Sequence, residues 1–311
     1  MINSKTHKVL VMVAATLVIS SCNNVMDGAY TIEANDEMAQ MIGDTLVSID
    51  ESGGKANGDI AQFNPTGYEK AFARLSRKES ALSKIANQDI SNLFVSKSYA
   101  TTACSATPFV CNAMSGVSTR TFSDCTIAGS GLATGSVTLT FTGTGASSCT
   151  IPLANDRVTR SPNYQITGLR GAIFKVSSLS SGQSLTRLNS TSFTFANNGI
   201  RRTFTTSNDK VVLDMQSITN ISISVIGTTR GVRILSGGSL IITNNLTSMS
   251  CTMSHTNVSW SAGCNCPTSG SWNGSCSDGV ALQVVYGSTC GETVLTKGSE
   301  VRPVTMDRCQ P

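Results

Sequence analysis

From about Val117 onward the chain alternates apolar and polar residues with a period of two. Val137, Leu139 and Phe141 are interleaved with Ser136, Thr138 and Thr140, the pattern of a strand with one buried face. Between Thr191 and Met215 the alternation predicts a meander. Asn198-Gly199 reads as a two-residue hairpin turn, because both positions accept positive φ. That turn would pair Asn197 with Ile200, Phe195 with Arg202 and Phe193 with Phe204. Asn208-Asp209 reads as a second turn, pairing Ser207 with Lys210 and Phe204 with Leu213. In this register Phe193, Phe195, Phe204, Val211, Leu213 and Met215 share one face, with Arg202 among them. Ser192, Thr194, Ala196, Arg201, Thr203, Thr205, Lys210, Val212 and Asp214 share the other. A slip of one residue would mix the two sets.

Ile221, Ile223 and Val225 continue the alternation, and Gly237-Gly238 reads as a further hairpin between 232–235 and 239–242. Shorter strands follow at 258–260, 280–286, 289–296 and 301–308. More than ten strands are expected, mostly antiparallel because their connections are short.

Before residue 103 the period is helical. Met38, Met41, Ile42, Thr45, Leu46 and Ile49 predict a helix over 33–50, with Glu33, Asp36 and Glu37 placed favourably for the helix dipole in its first turn. A linker spans 51–58. A second helix is predicted over 66–87, with Tyr68, Phe72, Leu75, Leu82 and Ala86 on its docking face. The fold class is mainly β with N-terminal helices: a large antiparallel, meander-rich sheet, either an open curved sheet or a sandwich, cross-linked by disulfides.

The first 22 residues supply the address. Lys5 and Lys8 precede the apolar run 9–19, which is far short of the roughly 20 residues that span a bilayer and reads as a signal peptide. Ile19-Ser20-Ser21-Cys22 resembles the lipobox of bacterial lipoproteins. The resemblance covers only these residues. It implies cleavage after Ser21, a diacylglyceryl thioether on Cys22 and an acyl chain such as palmitate on its new amino group. Asn23, where Asp would mark retention, is similar to the pattern of outer-membrane delivery. Cys22 is thus the lipidation residue and membrane lipid the first partner. The expected location is the cell envelope, and the expected segments are 1–21 signal peptide, 22–102 lipid tether and helical segment, and 103–311 disulfide-rich β domain.

Composition agrees. The signal takes two lysines and no acid, so 21 of the 23 basic groups remain against 19 acidic ones, a net charge of +2. That balance offers no electrostatic case for nucleic acid. Charged residues make up 14% of the chain, well below the usual ~25%. With Cys22 acylated, ten of the eleven cysteines remain, all beyond residue 103. An even number in an exported chain predicts up to five disulfides. The expected pairs are Cys104–Cys111, Cys125–Cys149 and Cys290–Cys309, with Cys251, Cys264, Cys266 and Cys276 pairing among themselves. Cys264 and Cys266, flanking Asn265, should bridge to different partners.

Candidate chemistry is thin. Cys264-Asn265-Cys266 with His255, Cys251 and Cys276 lacks the usual zinc spacing. His255, the one histidine after the signal, has no nucleophile elbow near it in sequence. Asp209, Asp214, Asp278, Glu292, Glu300 and Asp307 are dispersed. No phosphate loop, dinucleotide fingerprint or calcium loop occurs, so no catalytic, cofactor or metal residues are expected. Arg201, Arg202, Lys210, Arg230 and Arg233 read as edge and rim charges that discourage strand aggregation. Five Asn-x-Ser/Thr sequons, at Asn189, Asn220, Asn245, Asn257 and Asn273, follow from composition. The sequence therefore points to a non-catalytic, membrane-tethered binding or structural scaffold with an envelope protein or polysaccharide partner. The alternatives are a carrier of lipid or another apolar ligand in a half-barrel-like sheet, and an envelope polymer hydrolase.

Overall fold

The computed structural model describes residues 34–51, 70–76, 104, 110–127 and 131–311. Cys22, Glu33, the linker 51–58 beyond Glu51, and residues 66–69 and 77–87 of the expected second helix lie outside them. Residues 34–51 form helix α1 and 70–76 form helix α2.

Seventeen strands follow. They are β1 (Val110–Asn112), β2 (Val117–Ile127), β3 (Gly131–Thr142), β4 (Arg157–Thr167), β5 (Ile173–Ser178), β6 (Gln183–Arg187), β7 (Ser192–Asn197), β8 (Ile200–Thr205) and β9 (Val211–Ile221). Then come β10 (Ile223–Ile226), β11 (Ile234–Ser236), β12 (Ser239–Asn244), β13 (Met249–Trp260), β14 (Pro267–Cys276), β15 (Ala281–Tyr286), β16 (Glu292–Lys297) and β17 (Glu300–Thr305). All belong to one antiparallel sheet, with β1 and β17 at its two ends and no pairing between them among the described residues.

The connectivity is a simple meander once four pairs of strands are recognised as single runs. β5 and β6 both pair with β4. β8 pairs with β5 and β7 with β6. β9 and β10 lie beside β8 and β7, and β12 and β11 beside those in turn, with both meeting β13. Each short pair is therefore one strand broken in the middle and continuing in the same direction.

The Asn198-Gly199 and Gly237-Gly238 hairpins are thus overturned: both dipeptides interrupt a continuing strand. Phe195 lies between Leu185 and Ile223, and Arg202 between Val176 and Met215. The chain does turn at Asn208-Asp209, with Phe204 opposite Leu213, but the hairpin closes on Thr206, whose N–H donates to Lys210 C=O (2.8 Å), and not on the expected pair Ser207 and Lys210. The reason is parity. A two-residue hairpin and a two-residue break both leave Asn197 and Ile200 facing the same side. Pattern alone cannot distinguish them, and pairing with β5, β6, β9 and β10 decides. Val211 also differs: a register shift after Phe204 pairs it with Thr205 and leaves it 41% exposed.

The breaks line up into a crease across the sheet. Asn198 N–H donates to Gly182 C=O (2.8 Å) and Leu179 N–H to Gly199 C=O (3.0 Å). Asn197 N–H donates to the Thr219 hydroxyl at 3.0 Å. At Gly238, φ is +98° and a Cβ would sit 2.5 Å from Ile223 Cα. Only glycine permits that approach. Bulges of this kind bend a sheet.

The bent sheet wraps around α1. From Glu37 to Asp50 every α1 residue is buried, so the helix is core on all sides. Met38, Met41, Ile42 and Leu46 join one apolar cluster with Phe174, Phe193, Phe195, Phe204 and Trp272 of the sheet. α2 lies in the same core, with Phe72 6.4 Å from the Phe204 ring and against Gly168.

The five disulfides are Cys104–Cys125, Cys111–Cys149, Cys251–Cys276, Cys264–Cys290 and Cys266–Cys309. None of the three expected pairs forms. β1 pairs with the start of β2, with Cys111 opposite Ser118, while Cys125 lies near the other end of β2. Seven residues of strand separate those levels by roughly 23 Å, far beyond the reach of a disulfide. Cys149 follows the 3-10 turn Ala146–Ser148 at the Cys111 end. Cys251 and Cys276 face each other across β13 and β14. Cys264 and Cys266 do take different partners, but these are Cys290 and Cys309 rather than members of the expected set. Asn265 between them explains why. Its N–H donates to Gln310 C=O (3.0 Å), its side-chain amide donates to Arg308 C=O (3.1 Å), and its side-chain oxygen accepts from Gln310 N–H. The β13–β14 connection is thereby clasped to the C-terminal segment.

Candidate functional site

The main concentration of polar chemistry lies inside the sheet, along α1. Glu37, Gln40, Asp44, Ser48 and Glu51 recur at spacings of three or four and form one polar stripe on an otherwise apolar helix. Such a stripe can be buried only against counter-charges, because an isolated ion in a dry interior is prohibitively unfavourable. The surrounding elements supply arginines.

At the start of the helix, Asp36 pairs with Arg302 of β17 at 2.9 Å. Glu37 pairs with Arg74 of α2 at 2.5 Å and with Arg202 of β8 at 3.8 Å. Asp44 pairs with Arg202 at 2.7 Å. At the far end, Asp50 receives Arg233 at 2.5 Å and Arg230 at 2.8 Å, and Glu51 receives Arg308 at 2.6 Å and Arg160 at 3.7 Å. Arg74 also donates to Asp307, at 2.9 Å. Gln40 joins the helix to the end of β17, donating to Thr305 C=O (2.8 Å) and accepting from Asp307 N–H (2.9 Å).

Four arginines also lie over aromatic rings, among them Arg120, 5.4 Å from the Phe122 centroid. Arg202 sits 5.2 Å from the Phe174 centroid, Arg233 5.6 Å from Trp260 and Arg187 5.4 Å from Phe193. Planar guanidinium groups combine fork-like donation with such stacking, which lysine cannot do.

Burial pushes the Asp44 carboxyl above its ordinary value; Arg202 and Arg308 oppose that shift, while Asp307 and Glu37 add to it. Burial disfavours the charge on Arg74, but Glu37 and Asp307 outweigh it and hold the guanidinium more firmly protonated. The Tyr286 phenol is pushed well above its usual range by burial, with Trp272 opposing the shift.

Two expectations about charges need correction. Arg202 and Arg233 are each 1% exposed and are interior partners of helix acids, not rim charges. Arg201 and Arg230 are ion-paired as well, the former with Asp214 on the opposite face of the sheet. Lys210 alone of that group is an exposed rim charge. Asp36 and Glu37, read as dipole partners, hold specific arginines. The signal that could have found them was the heptad spacing of Glu37, Asp44 and Glu51 combined with the lone Arg202 in an apolar face.

Of the remaining candidates, Glu300 meets the start of α1, sharing Arg302 with Asp36 and accepting from the Asn35 side chain at 3.3 Å, while the others stand apart from the helix acids. His255 Nε2–H donates to Gly237 C=O at 2.7 Å, and its ring meets Trp272 edge-on at 5.3 Å, so it braces the crease. Asp278 pairs with Lys297 at 2.8 Å, Glu300 with Arg302 at 3.3 Å, and Asp209 sits in the β8–β9 turn. Glu292 is exposed. Among the described residues, no three His, Cys, Asp or Glu side chains converge as a metal site. No described helix is long and apolar enough to cross a membrane. No protein-family model, curated protein or solved structure matches the chain.

Proposed function

We infer that the chain is a membrane-tethered scaffold of the bacterial cell envelope that binds a partner or serves a structural role, attached through acylated Cys22. One observation carries this reading. The space inside the curved sheet is occupied by α1, whose residues 37–50 are all buried and whose acids are matched by arginines from β4, β8 and the C-terminal segment. A carrier of apolar ligands needs that space free. The interior charges hold the helix in place, and the disulfides stiffen the sheet around it. Among the described residues, the outer surface and the connecting loops are what a partner can reach, the usual carriers of recognition on a rigid framework.

The test has two parts. Palmitate labelling and membrane fractionation of the full chain should place it in the envelope membranes, with both signals lost in Cys22→Ser. Native mass spectrometry of the soluble variant should give the mass of the polypeptide alone. A stoichiometric apolar ligand that co-purifies would replace this reading with the carrier, and turnover of envelope polymers by the purified protein would replace it with the hydrolase.

A further inference from the structure

The sheet has two ends, and α1 gives them different environments. Among the described residues, the connections β4–β5 (168–172), β8–β9 (206–210), β12–β13 (245–248), β14–β15 (277–280) and β16–β17 (298–299) share one end. The connections β1–β2, β3–β4, β6–β7, β10–β11, β13–β14 and β15–β16 share the other. α1 begins at the first end, where Asn35 donates to Glu300 and Asp36 pairs with Arg302. It finishes at the second, where Asp50 holds Arg230 and Arg233. Cys22 stands twelve residues before Ala34. Even fully extended, that stretch reaches about 40 Å, comparable with the ~36 Å length of an eleven-residue strand such as β4.

Resting on the tethered reading above, we propose that the end formed by the β4–β5, β8–β9 and β12–β13 connections lies on the lipid surface, with Leu169, Val211 and Leu246 entering the interfacial layer. Each of these side chains is exposed, by 41%, 41% and 39%. Val211 is turned outward by the register shift that ends β8, against the alternation of its strand. Beside them stand Arg170, Lys175 and Lys210, all exposed. The nearby acids are Asp209 and Asp124, both exposed, and Asp278, Glu300 and Asp36, which are ion-paired. Apolar tips with adjacent long cations suit a layer where the tip enters the acyl boundary and the cation stays at headgroup level.

The opposite end also exposes apolar side chains, namely Met114, Leu153, Leu188 and Val232. The point where α1 begins separates the two. Contact by the far end would require the tether to run the full length of the molecule. The far end, where Cys111–Cys149, Cys264–Cys290 and Cys266–Cys309 staple the loops, then faces away from the membrane.

Hydroxyl-radical footprinting of the acylated protein in phosphatidylethanolamine–phosphatidylglycerol nanodiscs tests this, with the soluble Cys22→Ser variant as reference. The expected result is a several-fold loss of labelling at Leu169, Val211 and Leu246, with Met114, Leu188 and Val232 unchanged. Equal labelling at both ends, or protection at the far end, overturns the orientation. The mass of the N-terminal peptide, read in the same experiment, separates the two claims. An acylated Cys22 with no protection sinks the orientation alone. An unmodified Cys22 sinks the tethered reading and the orientation with it.

Discussion

Arg202 of β8 reaches Asp44 of α1 at 2.7 Å, with the arginine side chain 1% and the aspartate side chain 8% exposed. The contact joins the middle of a sheet built from residues beyond 109 to the helix described over 34–51. It belongs to a cluster in which Glu37, Asp44 and Asp307 face Arg74, Arg202 and Arg308. No disulfide reaches α1, so these ion pairs and apolar contacts hold the helix.

Removing one member of the pair should be costly. Arg202→Met leaves Asp44 buried without its nearest cation and is expected to lower stability by about 3–5 kcal/mol. Pairing it with Asp44→Leu should restore much of the loss, since an apolar pair of similar volume avoids desolvation altogether. Urea unfolding of the two single variants and the double variant gives the coupling directly.

The crease makes a prediction about two adjacent glycines. Gly237 and Gly238 both have positive φ, +72° and +98°. A Cβ on Gly237 meets nothing within 4 Å, whereas one on Gly238 falls 2.5 Å from the β10 backbone. Gly237→Ala should cost about 1–2 kcal/mol from left-handed strain alone. Gly238→Ala should cost clearly more, because the backbone of β10 must also move. Thermal denaturation of the two variants should rank them in that order.

Peptide mapping without reduction should recover Cys266–Cys309 and Cys264–Cys290 as cross-links between the β13–β14 connection and the C-terminal region. Replacing Cys266 and Cys309 together by serine should destabilise the protein by about 2–5 kcal/mol. Recovery of a Cys290–Cys309 peptide would contradict the clasp at Asn265.

Acid sensitivity should involve Asp156. Burial acts to raise its carboxyl, but hydrogen bonds from Leu153 N–H, the Thr144 hydroxyl and N–H, and Gly145 N–H hold it below the ordinary value of 3.8. A depressed carboxylate contributes stability that is present above its unfolded value and lost as pH falls through its folded value. Asp156→Asn should therefore flatten the fall in stability below about pH 4, with little change in slope above it. Unfolding midpoints measured from pH 2 to pH 7 would show the difference.

Much of the β architecture was legible because alternation is local. The faces carrying Phe193, Phe195, Arg202, Phe204, Leu213 and Met215 are buried as the pattern required. Of the helix expected over 33–50, residues 34–50 are helical, and Glu51 continues it. The order of strands in space was less so. Asn198-Gly199 has the composition of a turn, yet it serves as a break, and both uses keep the same residues facing inward. Disulfide pairing failed for a related reason. Neighbours in sequence such as Cys104 and Cys111 are carried to opposite ends of β2 by strand pairing that no local signal encodes.

The hydroxyl-rich alternation, the helical stripe of 33–50 and the lipobox-like Ile19-Ser20-Ser21-Cys22 are properties of the sequence by itself, because each depends on residues a few positions apart; the ten cysteines beyond residue 103 are a matter of counting. The placement of α1 inside the sheet, the conversion of Arg202 and Arg233 into interior counter-ions, and the choice of Cys290 and Cys309 as partners for Cys264 and Cys266 were decided only in three dimensions. Burying the acidic stripe of α1 requires cations from strands more than a hundred residues away. Only the bending of the whole sheet brings those cations around one helix.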